Sequence, residues 1–214
     1  MDRFGIDEAG KGPALGPMIA ACVRVPDESL LPEGIDDSKR IAPEKREGLA
    51  RGLREDGRVA IGIAAVSPSR IDAPETDMNS LTVAAHAEAA QPVVERGADG
   101  ICDAGDVDAG RFVRRVSEGL PEGVSLSGEH GADETHPIVG AASIVAKVER
   151  DRRVRALEAE YGEIGSGYPS DPLTRDFLRE YVAEHGELPA CARASWKTSE
   201  DALAAAEQGT LADF

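Results

Sequence analysis

Two acidic residues in succession, Asp7 and Glu8, stand where the apolar stretch Phe4-Gly5-Ile6 gives way to Ala9-Gly10-Lys11-Gly12. Neighbouring side chains on a regular strand point to opposite faces, so this pair converges only if the strand ends there and the glycines let the backbone turn. Asp103 repeats the arrangement in Ile101-Cys102-Asp103-Ala104-Gly105-Asp106, an apolar strand that ends in an acid ahead of a glycine. Asp133, in Glu129-His130-Gly131-Ala132-Asp133, precedes a helix that begins near Pro137. If the strands of Asp7 and Asp103 pair in parallel, both acids lie at the carboxyl ends, where open α/β sheets carry their sites. Clustered carboxylates repel by about 1 kcal/mol per pair at 4 Å in water and by more in a drier site, so such a set demands cations. All-oxygen donors select Mg²⁺ or Mn²⁺ over zinc. Two such ions about 3.5–4 Å apart suit in-line attack of water on a phosphodiester. Spacing does not choose between Asp103 and Asp106, and Glu129 is a further contender. A lone Asp at a strand end is more often a turn former or helix cap.

The elements that must position these acids are legible from periodicity. Strands are expected over 4–7, 18–25 and 59–66, which suggests an antiparallel meander of three, and then over 100–103 and 124–127. Helices are expected over 42–54, with Pro43 suited to the start, and over 78–95, 109–119 and 137–161. This alternation predicts an α/β fold with parallel crossovers in the second half. Beyond Gly165-Ser166-Gly167-Tyr168-Pro169 strand signals stop, and helical segments at 172–184 and 199–207 predict a small C-terminal helical subdomain.

Length and composition (214 residues, 41% hydrophobic) allow one full core with a small appendage. Acidic residues number 40 against 24 basic ones, for a net charge of -16, and only five of the basic residues are lysines. Spread along the whole chain, that excess reads as salt adaptation, because surface carboxylates keep molecules hydrated and apart when screening is strong. Neither a leader nor an apolar run long enough to cross a membrane is evident, so a soluble, cytoplasmic chain is expected. Cys22, Cys102 and Cys191 fit neither a disulfide framework nor a CxxC metal site and read as small buried hydrophobes.

The segments GIDEAGKGPALGPM, DSKRI, ICDAGDVD, EHGADETHPIVGAASIVAKVERD and GYPSDP occur in this order from Gly5 onward and together resemble archaeal-type ribonuclease HII, a type 2 ribonuclease H, from a halophile. The resemblance implies a ribonuclease H-like fold: a mixed five-stranded sheet flanked by helices, with a catalytic domain over 1–164 and the helical subdomain over 165–207. It implies a metal-binding catalytic quartet of Asp7, Glu8, Asp103 and Asp133, and so prefers Asp103 to Asp106. It implies that the loop Gly10-Lys11-Gly12 contacts the ribose 2′-hydroxyl and flanking phosphates through backbone groups. Glycines permit that close approach, and the 2′-hydroxyl is the group that separates RNA from DNA. The family commonly has Arg where this chain has Lys11, which keeps the charge and loses the planar fork. Tyr168 is implied to stack on the sugar beyond the RNA–DNA junction, and Ser38 and Lys39 to lie near the substrate phosphates. Lys147, one helical turn after Ser143, is a further substrate-binding candidate; the alternative is an ion pair with Asp151, also one turn away. Arg150, Arg152, Arg153 and Arg155 could form a local basic strip.

The activity implied is two-metal hydrolysis, with Mg²⁺ or Mn²⁺, of the RNA strand of RNA/DNA hybrids and incision 5′ of ribonucleotides embedded in duplex DNA. The products would carry 3′-hydroxyl and 5′-phosphate ends. With Gly5 so near the start, the extra N-terminal domain of type 3 ribonucleases H is not expected, and a monomer is. In the last seven residues, 208–214, the spacing of Gln208, Leu211 and Phe214 resembles a sliding-clamp-binding motif, in which apolar side chains of a helical turn plug a groove. Two other readings compete. One is a nuclease of the same fold with another substrate preference; the other is a non-catalytic clamp-associated DNA-binding protein, whose mark would be a missing member of the quartet.

Overall fold

The computed structural model describes residues 2–35 and 41–212, with side chains described through Gln208. Five strands, β1 (Arg3–Ala9), β2 (Met18–Val25), β3 (Ala60–Val66), β4 (Asp99–Asp103) and β5 (Ser125–Glu129), form one mixed sheet in the order β3-β2-β1-β4-β5. β1 is antiparallel to β2 and parallel to β4, and β4 is parallel to β5. The helices are α1 (Pro43–Glu55), α2 (Pro68–Ile71), α3 (Met78–Ala90), α4 (Ala109–Ser117), α5 (Ala132–Thr135), α6 (Pro137–Tyr161), α7 (Pro172–His185) and α8 (Lys197–Ala212). The mixed five-stranded α/β sheet expected from the sequence is therefore present.

Compactness divides the chain into two units: Met1–Ala9, Met18–Ala65 and Asp77–Arg150 in the first, and Gly10–Pro17, Val66–Thr76 and Asp151–Phe214 in the second. The sequence boundary at 164/165 followed the end of the strand signals. The compactness boundary falls earlier, inside α6, and the second unit also takes two early segments. A long helix outlasts the sheet it packs on: α6 contributes Ile138 to Val148 to the first core, and Val154 and Leu157 to the second.

In the first unit, alternation along β1 and β2 sorts residues between two helical layers. Ile19, Ala21, Val23 and Val25 of β2 and Ile101 of β4 pack with Ala50 and Leu53 of α1 and with the apolar positions of α6. Gly5 lies on that face, where a Cβ would sit 2.4 Å from the Ile138 carbonyl oxygen, so only glycine lets the start of α6 approach. On the opposite face Thr82 of α3 donates to Met18 Sδ at 3.7 Å, and a Cβ on Gly128 would meet Val113 of α4 at 2.7 Å. In the second unit Ala14, Leu15, Val154, Ile164, Leu178, Val182 and Cys191 share a separate core.

The ends of several elements differ from expectation, most clearly in α3 and α8. α3 stops at Ala90, not at 95, because Pro92 lacks the N–H that would continue the ladder. α8 starts at Lys197 and runs on to Ala212, so Gln208 lies within a helix. All three cysteines are buried thiols, and burial pushes the Cys102 thiol up to about 12.

Candidate metal centre and glycine loop

β1 does not end at Asp7. It stays paired to β2 through Ala9↔Ile19, while its parallel ladder with β4 closes at Ile6↔Cys102. Asp7 and Asp103 each follow that last pair and stand side by side at the carboxyl ends of two parallel strands. Asp7 and Glu8 accordingly leave the strand toward opposite layers. Asp7, almost fully buried, accepts a hydrogen bond from Ser143 of α6, and its Oδ1 also takes the Glu8 amide at 2.7 Å. Glu8 Oε2 lies 2.7 Å from Nε2 of His86, which α3 holds in full burial. A carboxylate there requires a proton on Nε2. The His86 ring stands edge-on to Phe112 at 5.1 Å.

Asp103 Oδ1 accepts the amides of Gly131 at 2.7 Å and Ala132 at 3.1 Å. Gly131 makes this turn with φ 70°, and α5 then begins with Asp133 in its first turn, buried. The end of β4 is thus tied to the start of α5, which brings Asp133 to the same rim. Lys147 joins the cluster from α6, donating to Ser143 Oγ at 2.8 Å with Asp133 Oδ2 4.0 Å away.

The acids feel one another. Burial, then the charge of Glu8, and further those of Asp103 and Asp133 push the Asp7 carboxyl well above the usual range, against the Ser143 hydrogen bond. Burial foremost, with Asp133 and Glu8, raises Asp103 against the two amides it accepts. The rival acids are engaged elsewhere. Asp106 receives Arg111 at 2.6–3.1 Å, which holds its carboxyl below the ordinary range, and Glu129 takes Thr135 at 2.7 Å and His136 at 3.0 Å. Among the described residues no group of three or more His, Cys, Asp or Glu side chains is placed, as it stands, to hold a metal ion. An open rim of oxygen donors, in which the charges of Glu8 and Asp133 help raise Asp7 and Asp103, fits a hard cation that keeps several waters and binds through one or two carboxylates.

In the second unit the chain from Gly10 to Pro17 forms a loop that one side chain organises. Arg193 is fully buried and donates to the carbonyls of Gly10 (Nη2, 2.6 Å), Lys11 (Nη1, 2.9 Å) and Gly16 (Nε, 3.0 Å). Trp196 Nε1 donates to Gly12 O at 3.0 Å, and the Arg193 guanidinium lies 4.8 Å from the Trp196 ring. In a trans peptide the N–H points opposite to the C=O. Carbonyls turned toward Arg193 therefore direct the Lys11 and Gly12 amides to the other side of the loop. Tyr168, 40% exposed, sits in a turn braced by Gly167 N to Thr174 Oγ1 at 2.9 Å and by Ser166 N to the α7 cap Asp171 at 2.7 Å.

Ser38 and Lys39 lie outside the described residues, as do Phe214 and the Leu211 side chain; Gln208 is exposed on α8. Of the arginine strip, Arg150 is buried, while Arg152 and Arg155 are exposed. Sequence reading missed His86, Arg193 and Trp196. His86 had one signal, a lone polar residue in the apolar run of an Ala-rich helix; nothing local marks Arg193 as the partner of a loop more than 170 positions away.

A mixed sheet of this order, with acids along the ends of its parallel strands, defines a divalent-metal-dependent nuclease of the ribonuclease H-like fold. The chain belongs to the ribonuclease HII family, whose profile it matches over residues 4–199. It is 60% identical to the ribonuclease HII of Haloarcula marismortui over 212 residues, covering 99% of this chain and 100% of that one. The crystal structure of ribonuclease H2 from Pyrococcus horikoshii superposes with a TM-score of 0.89 at 35% identity, over 97% of this chain and 100% of that one. A chain of the PCNA:RNase HII complex from Archaeoglobus fulgidus gives 0.83 at 38% identity, over 92% and 96%. The activity of the class is hydrolysis of RNA in RNA/DNA hybrids, dependent on a divalent metal. Among the described residues no helix is long and apolar enough to cross a membrane.

Proposed function

We propose that this ribonuclease H incises duplex DNA on the 5′ side of embedded ribonucleotides, leaving 3′-hydroxyl and 5′-phosphate ends, with Asp7, Glu8, Asp103 and Asp133 holding two Mg²⁺ or Mn²⁺ ions. The observation that carries this reading is geometric: Asp7 and Asp103 each follow the last parallel pair of β1 and β4, and the charges of Glu8 and Asp133 add to burial in raising both carboxyls. Bound divalent cations neutralise charge on the phosphate and make an attacking water more acidic. The chain's own groups do the positioning. Ser143 and His86 hold Asp7 and Glu8 from opposite layers, and the Gly131 and Ala132 amides fix Asp103. Lys147, 25% exposed, steadies Asp133 and offers an ammonium to a phosphate at the rim.

Recognition of the ribonucleotide falls to the loop of Gly10, Lys11 and Gly12, whose outward amides suit a 2′-hydroxyl and phosphate oxygens. Tyr168 offers an aromatic face to the sugar beyond the junction, and Ser38 and Lys39 complete the phosphate contacts. A duplex with one ribonucleotide, incubated with Mg²⁺ or Mn²⁺ across a range of KCl, tests the proposal. Cutting 5′ of the ribonucleotide is expected, and Asp7→Asn should lower it by about 100- to 1000-fold or more, as for loss of one preorganised electrostatic group. An intact duplex under every condition defeats the reading.

The exposed Gln208 near the end of α8, with Leu211 and Phe214, supports docking on a sliding clamp, and the related Archaeoglobus fulgidus chain was solved in a PCNA:RNase HII complex. Clamp pull-down should lose the protein on deletion of residues 208–214; unchanged retention removes that part.

A further inference from the structure

The second unit carries an open cleft of about 310 Å³ beside the start of α7 and of α8, lined by Pro169, Arg175, Arg179, Lys197, Thr198 and Asp201. Arg175 and Arg179 are one turn apart on α7, so they project along one face, and Lys197 is the first residue of α8. Each has a local partner, and Arg175 also lies near the Asp171 carboxylate. Arg179 has Asp176 at 3.8 Å, Lys197 pairs with Asp201, and Arg175 donates to the Pro169 carbonyl at 3.1 Å. In a chain with 40 acids against 24 basic residues, three cations lining one cleft run against the general field. Tyr168, next in the chain to the lining residue Pro169, is 40% exposed. Guanidinium forks grip phosphate oxygens in pairs, and an adjoining aromatic suits a sugar or base face.

We propose that this cleft is a binding site for backbone phosphates of the duplex, with Arg175 and Arg179 each meeting one phosphate of the strand that passes Tyr168. It rests on the reading that the second unit meets nucleic acid, and it is tested by binding, separately from cutting. Anisotropy of a labelled duplex, with one ribonucleotide or all DNA, is followed with Ca²⁺ in place of Mg²⁺ from about 0.1 to 1 M KCl. R175A/R179A should lower the slope of log affinity against log salt by about 1.8, at about 0.9 per phosphate. Over a decade of salt that is about a 60-fold change in the ratio of wild-type to variant affinity. R51A/R54A, which removes the same charge from exposed positions of α1, should leave the slope unchanged. Because Arg175 also braces Pro169, R179A/K197A supplies a second pair that spares this brace and should lower the slope as well. Equal slopes for R175A/R179A and R51A/R54A overturn the proposal, as does a wild-type slope in R179A/K197A. Displacement of the duplex by inorganic phosphate beyond that by chloride at matched ionic strength, measured without Ca²⁺, is expected of the wild type and should be lost in R175A/R179A; equal displacement from both overturns the proposal. Loss of cutting with the expected slopes strikes at the nuclease reading and leaves the cleft standing.

Discussion

A single methyl group at Gly5 should disable the site without touching any acid. The Cβ of an alanine there would lie 2.4 Å from Ile138 O, 2.5 Å from Ile138 C and 2.7 Å from Val139 N. All three are backbone atoms, so no side chain can swing away. Restoring an ordinary contact of about 3.4 Å requires the first turn of α6 to retreat by about 1 Å, an overpacking that costs about 1–3 kcal/mol. The same helix carries Ser143, which donates to Asp7, and Lys147, 4.0 Å from Asp133. A misplacement of about 1 Å in positioning groups lowers rates by about 100-fold. Gly5→Ala should therefore fold, melt earlier in urea by that energy, and cut about 100-fold more slowly, with Asp7, Glu8, Asp103 and Asp133 all intact. Urea melts read by circular dichroism and single-turnover cutting measure the two effects. Wild-type stability with a wild-type rate would refute the close approach of α6 to β1 on which the geometry depends.

Three further outcomes follow from the same contacts. His86→Leu deprives Glu8 of its 2.7 Å hydrogen bond and should raise the Mg²⁺ concentration for half-maximal cutting by about 10- to 100-fold; an unshifted metal titration contradicts a role for His86 in holding Glu8. Arg193→Lys keeps the charge but cannot serve three carbonyls with one fork. It should erode the preference for a ribonucleotide over a deoxynucleotide more than it lowers stability, which parallel cutting and melting assays separate. The raised carboxyls of Asp7 and Asp103 mean that the folded chain holds more protons than the unfolded one between the ordinary carboxylate range and the raised values. Their contribution to stability is thus present at low pH and lost as pH rises through that window. Divalent cations should offset the loss, so the stabilisation on adding Mg²⁺, read as a rise in Tm, should be larger at about pH 8 than at about pH 5, its free energy approaching about 2.7 kcal/mol at 100 times Kd. Equal rises at both pH values count against a shared acidic rim.

What could be read in advance depended on how far apart the cooperating residues lie. β2 and α6 matched their expected spans at both ends because each is one unbroken apolar or periodic run, 18–25 and 137–161. The acids were visible because each interrupts such a run ahead of a glycine. The separate surroundings of Asp7 and Glu8 were not. The chain does not turn after Asp7; β1 continues, and the pair is reached from two layers, by Ser143 on one side and His86 on the other. Spacing alone left Asp103 and Asp106 open and the resemblance preferred Asp103; the engagement of Asp106 by Arg111 is visible only in three dimensions. The second unit was least legible: its loop, Asp72 and Arg193 come from three separated stretches, and Asp72 accepts the amides of Ala194 at 2.7 Å and Ser195 at 3.0 Å.

Trp196 is the sole tryptophan of the chain, and its indole is bonded to the Gly12 carbonyl beneath a buried guanidinium. Intrinsic emission excited at the indole band thus originates from one spot, fastened to the backbone that would greet a ribose. Any shift of that backbone on docking changes the indole's hydrogen bond and its distance from a fixed positive charge, two quantities to which emission colour and yield respond. The molecule comes with a built-in optical probe of the loop from Gly10 to Gly12, requiring neither dye nor engineered label.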